Sequence, residues 1–267
     1  MNINLQQRIH YTLRIAVAMC FIGHGSFGII TKAVWCNYFG VFGISRQLSY
    51  QMMPAVGCFD ILLGITMLLY PVRAIPAWLV LWGIVTALLR PLSGEPFAEF
   101  IERAGNFGTP LALLLLSGIP KNSKGWFTRI DPARQVDRTG LSHVTTCLKI
   151  VVFLLLLGHG WLNLIGKRAL LNQYESLGFL NPAGVAQITG LSEIIAAFMV
   201  LVKPMRPVLF AVFIWKMGSE LLYPHYAMLE WIERGGSYGA LLALWIITAR
   251  DSTLKFTPVS DYTVHAG

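Results

Sequence analysis

Two histidines flanked by glycines are the residues whose type and position most directly suggest chemistry. His24 and His159 each lie in a Gly-His-Gly triplet inside an apolar stretch, and the surrounding segments IGHGSFGIITK and LGHGWLNLIGK repeat one another. Histidine is uncommon at membrane depth and usually faces the interior of a helix bundle. There it can ligate haem or a metal, carry a proton or donate a hydrogen bond to a quinone carbonyl. The alternative interpretation is an interhelical hydrogen bond in a notch of small residues.

An acidic residue accompanies each histidine. Asp60 and Glu193 lie in the next apolar stretch of each half, each three residues after a glycine and four before another small residue. Because positions three and four apart share one helix face, we expect each carboxylate to lie in a groove of small residues. A carboxylate at that depth must be protonated, hydrated or paired. We predict pairing with the histidine and with the fourth-helix arginine of the same half, and a purely structural pair is the alternative.

A Glu-Arg pair opens the fourth apolar stretch of each half. These pairs are Glu102-Arg103 and Glu233-Arg234. The acid is explained by the favourable interaction of a negative charge with a helix N-terminus, but the arginine is not. Placed next to an embedded acid–histidine pair, the arginine could receive an anionic or carbonyl head group. The alternative is an arginine whose charged end reaches the membrane surface.

The two halves differ at positions that carry charge. Lys216 and Glu220 stand where the first half has Gly83 and Ala87. Because they are four residues apart on a predicted helix, they can neutralise each other. We therefore expect one half to hold the site and the other mainly to support it. The residues predicted to bind a ligand beside the histidines and their acids are Arg103, Arg234, Lys32, Lys167 and Glu220.

The composition places this chemistry in a membrane. Apolar residues make up 55% of the 267 residues, charged residues only 13%, and the mean hydropathy is +0.60. A soluble domain would have roughly 25% charged residues. The net charge of +8 comes largely from Lys and Arg in short segments between apolar runs, which is the pattern of topology signals. We therefore expect the lipid bilayer as partner and no binding of nucleic acid.

We predict that eight apolar stretches are membrane-spanning helices, since about 20 residues cross the hydrocarbon core. The fourth stretch of each half is short and rich in glycine at its start. The first stretch is long enough to span and is repeated in the second half, so we expect a span and not a cleavable leader. The predicted spans are 11–33, 53–71, 74–92 and 103–119 in the first half, and 146–166, 184–203, 206–224 and 235–250 in the second.

A tandem duplication organises these spans. IERAGNFG in the first half returns as IERGGSYG in the second, and the copies stay in step between the repeated motifs. Four helices per copy give both copies one orientation, so the sequence predicts an all-α integral membrane protein of two pseudo-symmetric four-helix bundles. The excess of Lys and Arg on the side of both termini predicts a multi-pass protein of the cytoplasmic (inner) membrane with both termini cytoplasmic. The predicted parts are a first unit (1–119), a polar basic cytoplasmic linker (120–145), a second unit (146–250) and a short tail (251–267).

At these motifs the chain resembles the DoxX/DoxD-like superfamily of four-helix membrane proteins. The resemblance lies in GHGSFGIITK, in GCFDILLGITMLLYP and in the Arg-Gly-rich entry to the fourth helix, and it recurs in each half. It implies two fused four-helix units. DoxD-type members are similar to subunits of a thiosulfate:quinone oxidoreductase, and others are linked with thiol redox complexes. Carried over, this places His24, Asp60, Arg103, His159, Glu193 and Arg234 around a quinone or redox site.

We therefore predict a redox-associated membrane protein whose embedded His/acid/Arg set binds a lipophilic cofactor or relays protons. Quinone is the first expectation for the cofactor and haem b the second; we expect no dedicated metal site. A soluble or membrane-bound redox partner would fit this function, and whether the chain itself is an enzyme stays open. The alternatives are a carrier for a small solute, because two like-oriented halves are a known transporter plan, and a membrane scaffold or assembly protein.

Overall fold

The computed structural model describes the backbone of residues 4–253 and the side chains of residues 4–249. Most of the predicted tail (251–267) lies outside this range. Within it the chain is helical, and its extended pairing is a single bridge between Val72 and Arg129. The helices are α1 (Leu5–Ile29), α2 (Trp35–Gly40), α3 (Arg46–Leu69), α4 (Ala74–Leu92), α5 (Ala98–Glu102), α6 (Ala104–Ser117), α7 (Ser123–Phe127), α8 (Arg138–Leu164), α9 (Arg168–Ser176), α10 (Pro182–Val202), α11 (Arg206–Glu220), α12 (Ala227–Glu233) and α13 (Gly235–Thr253).

Five helices of the described chain are long and apolar enough to cross a membrane: α1, α3, α4, α8 and α10. Two further apolar helices are shorter, namely α6 and the Gly235–Ala249 part of α13. The expected all-helical class is thereby confirmed, together with the membrane-like character of its long helices. Their outer faces fit this environment, since large apolar side chains such as Leu62, Ile188 and Val202 are 60–80% exposed.

Polar residues at the helix starts explain where several long helices begin. Asn4 and Gln7 exchange hydrogen bonds at the start of α1, forming a capping box. Ser45 caps α3, and Asn181 caps α10 just before a proline at the first helical position. Asp137 caps α8, which begins at Arg138. The helix therefore takes in the last residues of the predicted linker (120–145).

The order of helices repeats, but the two halves are interleaved. α1–α6 and α8–α13 follow the same succession of long and short helices. α1 packs on α3 of its own half and also on α12 and α13, while α8 packs on α10 and also on α5 and α6. The predicted grouping into two pseudo-symmetric four-helix bundles is not confirmed, because long helices of each half also pack on the other half. α1 and α8 bury side chains on several faces, including Ile9, Val17 and Leu155, and this requires neighbours from both halves.

The Gly-His-Gly triplets are notches for helix contact. A Cβ atom on Gly23 would collide with the backbone of Glu233 at the end of α12, and one on Gly25 would collide with Gly57 in α3. The same approach recurs at Gly158 and Gly160, which meet Glu102 and Gly190. The two glycines of each triplet therefore allow close packing of two neighbouring helices, one from each half. The histidine lies between these two contacts.

The predicted cytoplasmic linker is anchored to one end of the first half. Arg73 and Arg134 both donate hydrogen bonds to the carbonyl of Ser117, near the end of α6. Gln6 and Val136 exchange two hydrogen bonds of 2.9 and 2.8 Å, which tie the linker to the start of α1. These contacts satisfy helix-end carbonyls and place the linker against the bundle.

Candidate functional site

Each embedded acid pairs with the histidine of its own half. His24 Nδ1 lies 2.8 Å from Asp60 Oδ2, across the contact between α1 and α3. His159 Nδ1 lies 2.5 Å from Glu193 Oε2, across the contact between α8 and α10. Asp60 is fully buried and Glu193 is 4% exposed. This part of the predicted pairing is confirmed in both halves.

The two predicted arginine–acid pairs are wrong. Arg103 Nη1 lies 2.5 Å from Glu99 Oε2 and 2.7 Å from Glu102 Oε2, and it forms no ion pair with Asp60. Arg234 crosses to the other half and pairs with Glu102 as well. The arginines pair differently because the fourth apolar stretch of each half is broken into two helices. Arg103 lies at the break between α5 and α6, and Arg234 lies at the break between α12 and α13. Both arginines are buried within the protein, which also excludes the surface-reaching alternative.

A cavity of about 280 Å³ opens beside His24, and we call it the first cavity. Its walls are mostly aromatic and aliphatic and come from α2, α3 and α4, while its polar lining comes from α1, α4, α6 and α12. The lining residues are His24, Trp35, Tyr38, Phe39, Phe42, Ile44, Met52, Val56, Trp82, Val85, Thr86, Leu89, Arg90, Arg103, Asn106 and Glu233. An apolar cavity with a few polar groups is the usual form of a small-molecule site.

His24 presents one ring nitrogen to this cavity. Its ring lies against Trp35, with centroids 4.7 Å apart and planes inclined by 32°. Nδ1 is engaged by Asp60, so Nε2 is the ring nitrogen left for a ligand.

Polar groups that line the first cavity lack hydrogen-bond partners among the described residues. The indole N–H of Trp82 has none, and the carboxylate of Glu233 forms neither a hydrogen bond nor an ion pair. Asp60 does not line the cavity, but the second oxygen of its carboxylate also lacks a partner. Glu233 is only 6% exposed, and it reaches the cavity from α12 of the second half. Buried polar groups are normally hydrogen-bonded, so this cluster indicates a place for a ligand with polar atoms.

A second, smaller cavity of about 160 Å³ lies beside His159. Most of its lining residues occupy the positions of the first cavity in the other copy, as Trp215 does for Trp82 and Tyr223 for Arg90. Here the tryptophan and the embedded acid are bonded to the protein, while one oxygen of Glu220 has no hydrogen-bond partner. Trp215 Nε1 donates to Glu193 Oε1 over 3.1 Å, and the Tyr174 hydroxyl donates to Asn163 beside His159 over 2.7 Å. We call this the second cavity.

Buried charges connect the two cavities. Lys216 Nζ lies 3.4 Å from Glu220 Oε1 and 3.9 Å from Glu193 Oε1, so the predicted neutralisation of this pair is confirmed. Glu220 lines the second cavity and also lies 3.9 Å from Arg234 Nε. Arg234 also forms an ion pair with Glu102, and Glu102 forms a second ion pair with Arg103, which lines the first cavity. Such a row of buried ionisable groups is typical of proton or ion pathways in membranes.

Two lysines predicted to bind a ligand lie outside both cavities. Lys32 Nζ is 2.6 Å from Glu230 Oε1, and Lys167 pairs with Glu99. Each pair joins the loop after the first helix of one half to the fourth segment of the other half. Their structural role is therefore to hold the interleaved halves together.

Sequence analysis missed several residues that build the site. Glu99 and Glu230 occupy equal positions in the two copies, so the repeat itself was a signal that could have found them. Trp82 corresponds to Trp215 in the second copy, but a tryptophan in an apolar stretch is equally typical of an anchor at the membrane interface. Trp35 has no aromatic counterpart in the second copy, and no signal in the sequence pointed to it.

Neither histidine is arranged to share a ligand with the other, because they line different cavities. Among the described residues, no group of three or more His, Cys, Asp or Glu side chains could hold a metal ion. No protein-family model, curated protein or solved structure matches the chain. The function is therefore argued from the geometry of the site.

Proposed function

We propose that the first cavity binds a lipophilic carbonyl compound, with a quinone as the best-fitting class, and that the protein serves a membrane redox system. The observation that carries this proposal is the aromatic cavity beside His24 with its buried, unpartnered polar groups. A lipophilic ring would take the apolar walls, and its polar atoms would meet these groups. At about 280 Å³ the cavity is close to the lower end of the usual size range of ligand pockets.

The residues around the cavity suit a flat ring with oxygen substituents. Trp35 and Trp82 supply aromatic surface, and the free indole N–H of Trp82 can donate to a carbonyl oxygen. His24 and Asp60 form a pair that can take up or release a proton next to the ligand. The resemblance to DoxX/DoxD-like proteins points to the same ligand class and supports the proposal.

The proposed membrane arrangement has eight crossings. The five long apolar helices supply five of them, and the interrupted segments α5–α6 and α12–α13 supply two more. α11 supplies the eighth, with its charges Lys216 and Glu220 turned into the protein. In this arrangement both termini and the basic linker lie on the cytoplasmic side of the inner membrane, as the distribution of Lys and Arg favours.

Ligand binding by two histidine variants tests the proposal. The purified protein in lipid nanodiscs is titrated with a short-tail quinone while its tryptophan fluorescence is recorded, since two tryptophans line the first cavity. We expect saturable quenching that is lost in His24→Ala and retained in His159→Ala, the matched change in the other half. Binding that disappears equally in both variants, or that His24→Ala leaves unchanged, would place the ligand elsewhere.

A carrier for a small solute is the second candidate. It is favoured by the interruption of the fourth segments at Arg103 and Arg234, because discontinuous helices with polar residues at the break form the substrate sites of many transporters. Vesicles containing the protein would then accumulate a solute, and Asp60→Asn would reduce this uptake. If no solute in a broad panel enters the vesicles while quinone binding is intact, the carrier function fails and the quinone site stands.

A further inference from the structure

We infer that the first cavity prefers the reduced, hydroxyl-bearing form of its ligand, a hydroquinone, and that Glu233 from the second half sets this preference. The inference rests on the proposed quinone site and adds the form of the ligand that fits it best. It also makes the site a composite of both halves. The argument starts from the hydrogen-bonding capacity that the protein leaves unused at the cavity.

The polar end of the cavity contains a hydrogen-bond acceptor that a quinone cannot use. Glu233 offers a carboxylate, which only accepts when ionised. Donors are also present, since the indole N–H of Trp82 has no partner and the side-chain amide of Asn106 lines the cavity. A quinone carbonyl can use these donors but leaves Glu233 without a hydrogen bond, whereas a hydroquinone hydroxyl can donate to Glu233 and still accept from Trp82.

The carboxylate of Glu233 is available because its charge is not neutralised by an ion pair. Glu102, the matching residue of the first copy, takes Arg103 on one oxygen and Arg234 on the other. Both arginines form their ion pairs with Glu102, so Glu233 faces the cavity without an ion pair of its own. His24, Lys32, Arg234 and Arg103 lie within electrostatic reach of its carboxylate. The duplicated sequence gives two equal acids, and the fold makes only one of them free.

The charges also argue against an anionic head group. Arg103 is already held by Glu99 and Glu102, and Arg90 lies 3.4 Å from Glu95 and 3.5 Å from Glu99. The cations at the cavity are therefore neutralised by neighbouring acids. An anionic ligand would face the free carboxylate of Glu233, while a neutral hydroxyl would be stabilised by a charge-assisted hydrogen bond to it.

Anaerobic calorimetric titration in nanodiscs tests the inference. Three short-tail ligands with the same ring are compared: the hydroquinone, the quinone and the hydroquinone dimethyl ether, which has no hydroxyl donor. We expect the hydroquinone to bind about tenfold more tightly than the other two, the range of one charge-assisted hydrogen bond. In Glu233→Gln this advantage should fall to about threefold or less, since a hydrogen bond to a neutral acceptor is weaker. The affinity for the quinone should stay unchanged.

Glu175→Gln in α9 is the control, with the same change at an exposed residue outside the first cavity. It should keep the full preference for the hydroquinone. Equal binding of hydroquinone and quinone by the unchanged protein would overturn the inference and leave the quinone site standing. If Glu233→Gln keeps the preference, another residue sets it and the assignment to Glu233 is wrong. If none of the three ligands binds, both the proposed function and this inference fail.

Discussion

The two halves of the protein share their helix contacts and differ in their cavities. Gly23 and Gly158 meet the fourth segment of the opposite half in the same way, and each half has its His–acid pair. The first cavity is larger and its Trp82 has no hydrogen-bond partner, whereas the second is smaller and its Trp215 donates to Glu193. The repeated motifs therefore contain the residues that hold the helices together, while the residues that line the two cavities differ.

One methylene group accounts for part of this difference. Glu193 reaches both His159 and the indole N–H of Trp215, which lies 3.1 Å from its second oxygen. Asp60 is shorter, reaches His24 alone, and leaves its second oxygen and the indole N–H of Trp82 without partners. Glu193 thus uses both of its oxygens within the protein, whereas Asp60 leaves one oxygen and the indole N–H of Trp82 without partners.

The largest effect is expected from breaking the buried charges that only the second half contains. Lys216→Met would leave Glu220 buried without its neighbour at 3.4 Å. Loss of one partner of a buried pair costs about 3–5 kcal/mol, so the free energy of unfolding should fall by that amount.

The measurement is a titration with denaturing detergent followed by circular dichroism. The double variant Lys216→Met/Glu220→Leu should recover most of the loss, and exposed Lys203→Met should change the free energy of unfolding by less than about 0.5 kcal/mol. A double variant as unstable as the single one would show that the two residues do not act as a pair.

The helix contacts shared by the halves should respond equally. Gly23→Ala and Gly158→Ala each place a methyl group against the backbone of a neighbouring short helix, which cannot move aside. We expect each to lower the free energy of unfolding by about 1–3 kcal/mol, the usual cost of overpacking. Gly218→Ala in α11 has open space and should be neutral or stabilising. Damage in only one of the two triplets would contradict the equivalence of these contacts.

Sequence analysis predicted the members of the site better than their arrangement. Predicted span 74–92 coincides with α4, and the repeat identified both His–acid pairs. A repeat shows which residues correspond but not which copy a helix packs against. For this reason the interleaving of the halves was missed, and Arg234 was assigned to an acid of its own half.

The two equivalent tryptophans should separate stability from binding. Trp215→Phe removes the hydrogen bond to buried Glu193 Oε1, so the free energy of unfolding should fall by about 1–2 kcal/mol. Trp82→Phe removes an N–H that has no protein partner and should leave stability almost unchanged. It should instead weaken quinone binding by about fivefold, as loss of one neutral hydrogen bond does. Fluorescence titration and thermal unfolding of both variants measure this contrast, and equal destabilisation by the two changes would contradict it.

The smallest and most specific change would make the acid of the first half the same as that of the second. Asp60→Glu adds one methylene group, so the carboxylate can reach the indole N–H of Trp82 while it still accepts from His24, as Glu193 does with Trp215 and His159. A new hydrogen bond between two buried groups that had no partner should raise the free energy of unfolding by about 1 kcal/mol. The same bond occupies the donor proposed for the ligand, so quinone affinity should drop about fivefold, and the reverse change Glu193→Asp should lower stability without altering that affinity. If Asp60→Glu stabilises the protein and binding is unaffected, Trp82 does not contact the ligand. If it weakens binding, the length of this one side chain accounts for part of the difference between the two cavities.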